Sequence, residues 1–301
     1  TSSSDRASDG TVKDMTTDQA AIARRAYDSL EPFHVLTYFN PGVGAAQKDL
    51  GLDGHALYVG GRACALGETT GAVVAATFYN FAPGLIVDSW ERARAVGLAA
   101  IDDRRYAMLD EQYRAILGDA DEQIAPLLPE YAAIVAALPL SGRPLGGAWA
   151  STPIPEVPHL ALWRHLTALR EWRGDNHIAE LVSHELNGLD AGVFHEAELP
   201  DPTVQRHVMS KPMFLLTRGW SEDDWSASVD RLAQRGLATG DAQSHRLTDA
   251  GYGLYQDIER RTDEVTGASL PASFAALIEQ TRPLVKPILD AGVLPGTKKK
   301  G

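Results

Sequence analysis

Residues 221–251 read SEDDWSASVDRLAQRGLATGDAQSHRLTDAG, and they carry a series of ordered structural signals. Ser221 and Asp224 form a capping box, in which each side chain can satisfy the other's free backbone amide at a helix start. Trp225, Val229 and Leu232 then fall on one face of the helix that follows. Gly236, followed by the apolar Leu237, is a helix stop of the left-handed kind. Residues 238–246 are polar, with Gly240-Asp241 at the tip, which suits a short β-hairpin. Leu247-Thr248-Asp249-Ala250-Gly251 opens a further helix that the pattern carries to about Val265.

This order, an apolar helix ending in L-x-x-x-G-L, a polar wing and then L-T-x-A-G at the start of a long helix, resembles the winged helix of the MarR family. The whole chain also resembles an actinobacterial family of helical proteins that carry such a module. The resemblance implies a mainly α fold: an N-terminal helical domain followed by a MarR-like winged helix with a small hairpin wing. It implies architecture and leaves activity open.

Working outward, the expected division is a disordered tail (1–15), an N-terminal helical domain (16–140), a Pro/Gly linker (141–158), the winged-helix domain (159–266), C-terminal helices (267–295) and a basic tail (296–301). Capping by Thr16-Thr17-Asp18 predicts a helix over 20–30 that ends near Pro32. The apolar run 33–39 is expected as a second, buried helix, and the glycine-rich stretch 51–71 as irregular. Thr69-Thr70 predicts a cap for a helix over 72–81, apolar on nearly all sides and therefore central. Further helices are expected over 84–96, 99–117 and 120–137. The four prolines and three glycines of 141–158 mark the linker. A helix over 159–172 is expected to break at Arg173-Gly174-Asp175-Asn176, with Asp175 or Asn176 capping the next.

Of the 301 residues, 44% are hydrophobic and 23% charged, as in ordinary globular proteins. No apolar run reaches the roughly 20 residues of a membrane span, and Cys64 is the single cysteine, so the expected setting is cytoplasmic. Arginine outnumbers lysine 21 to 7, a bias of high-GC coding. The net charge is −12 even with Lys298-Lys299-Lys300 included. Within 220–248, Arg231, Arg235 and Arg246 face five acids, Glu222, Asp223, Asp224, Asp230 and Asp241. DNA binding requires several phosphates to be neutralised, so at most a weak DNA contact is expected.

No dinucleotide, P-loop, nucleophile-elbow or HExxH motif is present. The densest polar cluster is Arg173, Asp175 and His177, with Arg170 one turn earlier: a guanidinium for an anionic group and a carboxylate able to orient an imidazole. His34, Tyr38, Phe78, Tyr79, Asn80, His159, Trp163 and Arg170 have the makeup of an aromatic small-molecule pocket with a few polar anchors. His177, Glu180 and His184 share a helix face but are too few for a metal site, and no metal is assigned. The cofactor is unknown. The expected partners are a small molecule and a second copy in a homodimer. Three classes stay open: a small-molecule-binding protein, an enzyme using the Arg173/Asp175/His177 cluster, and a ligand-responsive transcriptional regulator. A pocket lined by that cluster is expected between the two halves of the chain, with Tyr79, Phe81 and Trp163 around it.

Overall fold

The computed structural model describes residues 5–298 except 205 and 207, with side chains from residue 18 onward. α1 (Asp5–Val35) is followed by α2 (Val43–Leu50), α3 (Gly54–Ala63) with a 3₁₀ turn behind it, and α4 (Gly71–Thr77). α5 (Pro83–Val96) and α6 (Leu98–Leu117) come next, then the short α7 (Asp121–Ile124), α8 (Leu128–Ala136) and α9 (Pro144–Ser151). The second half holds α10 (Pro158–Ser183), α11 (Gly188–Glu196), α12 (Lys211–Arg218) and α13 (Glu222–Gln234). β1 (Ala238–Gly240) pairs antiparallel with β2 (His245–Leu247), and α14 (Asp249–Gly267) and α15 (Phe274–Asp290) follow. The chain is thus mainly helical, with this hairpin as the sheet among the described residues. None of the described helices is long and apolar enough to cross a membrane.

α10 organises the molecule. A helix buried on all sides belongs at the centre of a bundle, and α10 buries Leu160, Leu162, Trp163, Leu166, Trp172 and Leu181 around its circumference. α1, α9 and α14 pack along it, and α15 lies on α1, burying Phe274, Leu277, Ile278 and Ile288. α14 and α15 therefore cover their apolar faces within the chain. A second core around Phe194, Phe214, Trp225, Leu232 and Leu247 lies under α11–α13 and the hairpin.

Around residues 221–251 the expected order appears. Ser221 and Asp224 close the capping box, Gly236 takes φ 69°, and Thr248 Oγ1 accepts from Gly251 N at 3.0 Å to start α14. Glu198 adds one residue beside β2, its amide donating to the His245 carbonyl at 3.0 Å.

Elsewhere several expectations fail for physical reasons. α1 begins at Asp5 rather than Thr16, so 5–15 are helical; the rest of the expected tails, 1–4 and 299–301, lie outside the described residues. It also runs past Pro32, because its last turn buries Phe33 and His34. The 51–71 stretch is helical over α3, where Asp53 Oδ1 accepts from Ala56 N. Its glycines serve close packing: a Cβ on Gly60 would stand 2.8 Å from the Ala93 Cβ. α4 stops at Thr77 and is a surface helix, with Val73 48% exposed. The expected linker contains α9, whose Leu145 and Trp149 are buried, and Gly146 sits where a Cβ would collide with the Trp172 backbone. α10 does not break at 173–176. Asp175 caps the start of α9 instead, Oδ2 accepting from Gly146 N at 2.8 Å.

Candidate functional site

The proposed eight-residue pocket divides into separate environments. His34, Tyr38, Phe78, Trp163 and Arg170 join one buried aromatic and charged network where α1 and α3 meet α10. Trp163 Nε1 donates to the His34 carbonyl at 3.1 Å, and the two rings stack. Tyr38 packs edge-on against His34 and Tyr58, and Tyr58 in turn against Phe78 and Phe81. At its centre Arg62 donates twice to Glu171, both at 2.8 Å, and Arg170 bridges Glu171 and Glu31. Burial alone would raise the Glu171 carboxyl, but Arg62 and Arg170 more than offset it and hold it at about 2. Arg62 also lies 4.7 Å from the Phe78 ring centre.

His34 is 1% exposed, and burial, with Arg170 adding, lowers its imidazole to about 3, so the ring is neutral. Nδ1 lies 2.9 Å from Thr167 Oγ1, and Nε2 has no partner among the described residues. Thr167, 1% exposed, has no other bond among the described residues, unlike Thr262, whose hydroxyl donates to the Ile258 carbonyl. Either the hydroxyl or Nδ1 donates, and in each case one buried hydrogen, on Nε2 or on Thr167 Oγ1, is left without a partner among the described residues. His34 lines a cavity of about 50 Å³ with Tyr27, Glu31, Leu166, Arg170, Arg173 and Phe274. That volume accommodates water-sized occupants.

Within the Arg173/Asp175/His177 set, Arg173 and His177 face α14, where Glu259 lies 3.8 and 4.0 Å from them, and Asp175 faces α9. Arg173 donates to Asp263 at 3.0 Å and stacks 4.2 Å from the Tyr27 ring centre. Asp175 caps α9, and burial raises its carboxyl to about 6 against the bond from Gly146. His177 Nδ1 donates to Thr262 at 3.0 Å. These are helix-packing roles. Glu180 pairs with Arg261 and His184 with Asp257, so the three residues of the suspected metal face have separate partners. His159 also leaves the pocket, bonding Asp110 at 2.7 Å.

A cleft of about 540 Å³ does lie between the halves of the chain, without the Arg173 set. Tyr79, Phe81 and Pro83 line one side; Asn187, Leu189, Trp220, Asp224, Ala227 and Arg231 line the other. The halves are latched beside it. Tyr79 OH donates to the Leu186 carbonyl, Trp220 Nε1 to the Asn80 carbonyl at 2.9 Å, and Ala82 N to the Arg218 carbonyl at 2.8 Å. Gly188 permits the approach, since any Cβ there would strike the Tyr79 carbonyl. Asp190, 4% exposed, accepts from Arg231 Nε and Nη2, from Ser228 Oγ at 2.5 Å and from Asn187 Nδ2 at 2.8 Å. Sequence reading missed Arg62, Tyr58, Thr167, Glu171 and Asp190, each a partner from a distant segment. The one local signal was Asn187 three residues before Asp190, a cap spacing.

The outward face of α13 exposes Glu222, Asp223, Asp224 and Asp230. Arg231 is clamped to Asp190, and Arg235 donates to the carbonyls of His184 and Glu185 at 2.9 and 2.8 Å. No curated protein and no solved structure matches the chain. A helix-turn-helix family, however, matches residues 23–295, both cores and the cleft included. By that match the chain belongs to the helix-turn-helix family.

Proposed function

We propose that this protein binds a small molecule, with a MarR-type winged helix serving as scaffold and cleft wall in place of a strong reader of duplex DNA. In this reading α13 stands where a recognition helix would, and β1–β2 where a wing would. The observation that carries it is the outward face of α13. Four exposed carboxylates crowd α13, of which Glu222 pairs with Lys211, and two of the three local arginines are tied to the protein itself. Such a face repels a polyanion. It borders a 540 Å³ cleft, within the roughly 300–1,000 Å³ typical of small-ligand sites, with aromatic walls and a few polar groups.

Two titrations test this. Fluorescence anisotropy of a random duplex at physiological salt should show binding no tighter than about 1 µM, the range of non-specific contact. A ligand entering the cleft should change tryptophan emission in the wild type but not in Trp220→Phe. Family membership, with the intact cap and hairpin, favours a second reading as a DNA-binding regulator. Sub-micromolar, steeply salt-dependent duplex binding would establish that reading and overturn the first.

A further inference from the structure

We propose that the cleft on the outer face of α13 takes a zwitterion of about dipeptide size, with its amine at Asp224, its carboxylate at Arg231 and an apolar or aromatic body between them. The inference rests on the cleft reading and adds the ligand's chemistry. Asp224, Ala227 and Arg231 are spaced i, i+3, i+7, which puts them on one helix face. Their rise separates the two charged Cα atoms by about 10 Å. Helical side chains lean toward the N-terminus, so Arg231 reaches back over the small Ala227. The remaining gap matches two extended residues, about 7 Å.

Each charged group is fixed by part of its polar edge and leaves the rest uncommitted. The Nε and Nη2 of Arg231 grip the buried Asp190, and Nη1 has no partner among the described residues. A guanidinium held in this way presents a rigid donor edge suited to a carboxylate. Asp224 Oδ2 accepts from the Ser221 hydroxyl at 2.6 Å and from the Ser221 amide at 3.0 Å, and Oδ1 has no partner among the described residues. The Ser221 bonds lower its pKa, so it faces the cleft as an anion. Tyr79 and Trp220 have their polar ends tied to backbone carbonyls of the opposite half, which fixes their rings as apolar wall. The site thus has a negative end, a positive end and aromatic flanks.

The test is calorimetric titration of the full chain with phenylalanyl-phenylalanine, its N-acetyl form and its C-terminal amide. The free dipeptide should bind, and blocking either end should weaken it about tenfold, one charge contact of about 1.4 kcal/mol. Asp224→Asn keeps an acceptor for Ser221; circular dichroism should show it folded. It should weaken the free dipeptide about tenfold and remove the penalty for acetylation. Equal affinity of all three peptides would overturn the charge assignment and leave the cleft as a site. A different small molecule that shifts Trp220 emission while no peptide binds would overturn the zwitterion class alone. Absence of any Trp220-dependent response would overturn the cleft reading as well.

Discussion

At Glu171, a single carboxylate is 1% exposed and serves both Arg62 and Arg170. Removing one partner of a buried ion pair leaves an uncompensated charge, which costs about 3–5 kcal/mol. Urea unfolding should show a loss of that size in Glu171→Gln. Replacing Arg62 and Glu171 together by Met and Leu should recover much of it. Acid acts through other buried groups, and His177, lowered to about 4 by burial, adds to His34 and His165. His34 and His165 are each 1% exposed and held near 3 and 4, below the ordinary 6.5 they regain on unfolding. The unfolded chain therefore binds protons first, so the stability present above pH 6.5 is lost as pH falls toward about 4. Between pH 7 and 5 the two should together remove about 2–4 kcal/mol. Asp175 has the opposite sign: held near 6 against 3.8, it favours the fold as pH falls. Asp175→Asn should therefore lose stability with acid more steeply than the wild type, as urea midpoints across that window would show. None of these partnerships was legible in the sequence, since Arg62 and Glu171 lie 109 positions apart. His34 stood out because an imidazole in an apolar run needs a partner; that the partner is Thr167 is visible only once α1 and α10 pack.

Among elements, α13 and its hairpin were legible because their determinants are local: the Ser221/Asp224 cap, the Gly236 stop and the period of Trp225, Val229 and Leu232. Ser221→Ala should cost about 1 kcal/mol of thermal stability, as loss of a helix cap does. α9 was read as a linker because its prolines and glycines are turn formers by local statistics. Its glycine at 146 is instead a contact residue, brought against the Trp172 backbone by packing that short-range patterns do not encode. Gly146→Ala should push α9 off α10 and lower stability by about 1–3 kcal/mol, measurable by calorimetry. The same substitution at Gly147, which would meet only the Leu140 side chain and carbonyl at 3.6 Å or more, should be far milder. The unbroken α10 was misread for a related reason. Its Gly174 weakens helix propensity, but Asp175 finds its partners on α9, so tertiary bonds outweigh the local break.

For the whole molecule, the cleft is lined on one side by Tyr79 and Phe81, two residues that sequence reading places around a pocket with Arg173. The polar residues of that cleft come from α11 and α13 instead of 173–177. The reason is geometric: 173–177 lie mid-helix, with Arg173 and His177 turned to α1 and α14 and Asp175 to α9, which the sequence pattern could not orient. One consequence follows from α10 running through 26 residues without a break. Its N-terminal part packs into the core that holds Trp149 and Phe33, and its end, at Leu181, into the core of α11–α13. A rod anchored in both cores couples their melting, because neither can open without exposing the same helix. Calorimetry should therefore record a single transition, with the van't Hoff enthalpy matching the measured heat. In hydrogen–deuterium exchange the amides of 160–172 should be the slowest, opening only by global unfolding, and those of the hairpin tip among the fastest.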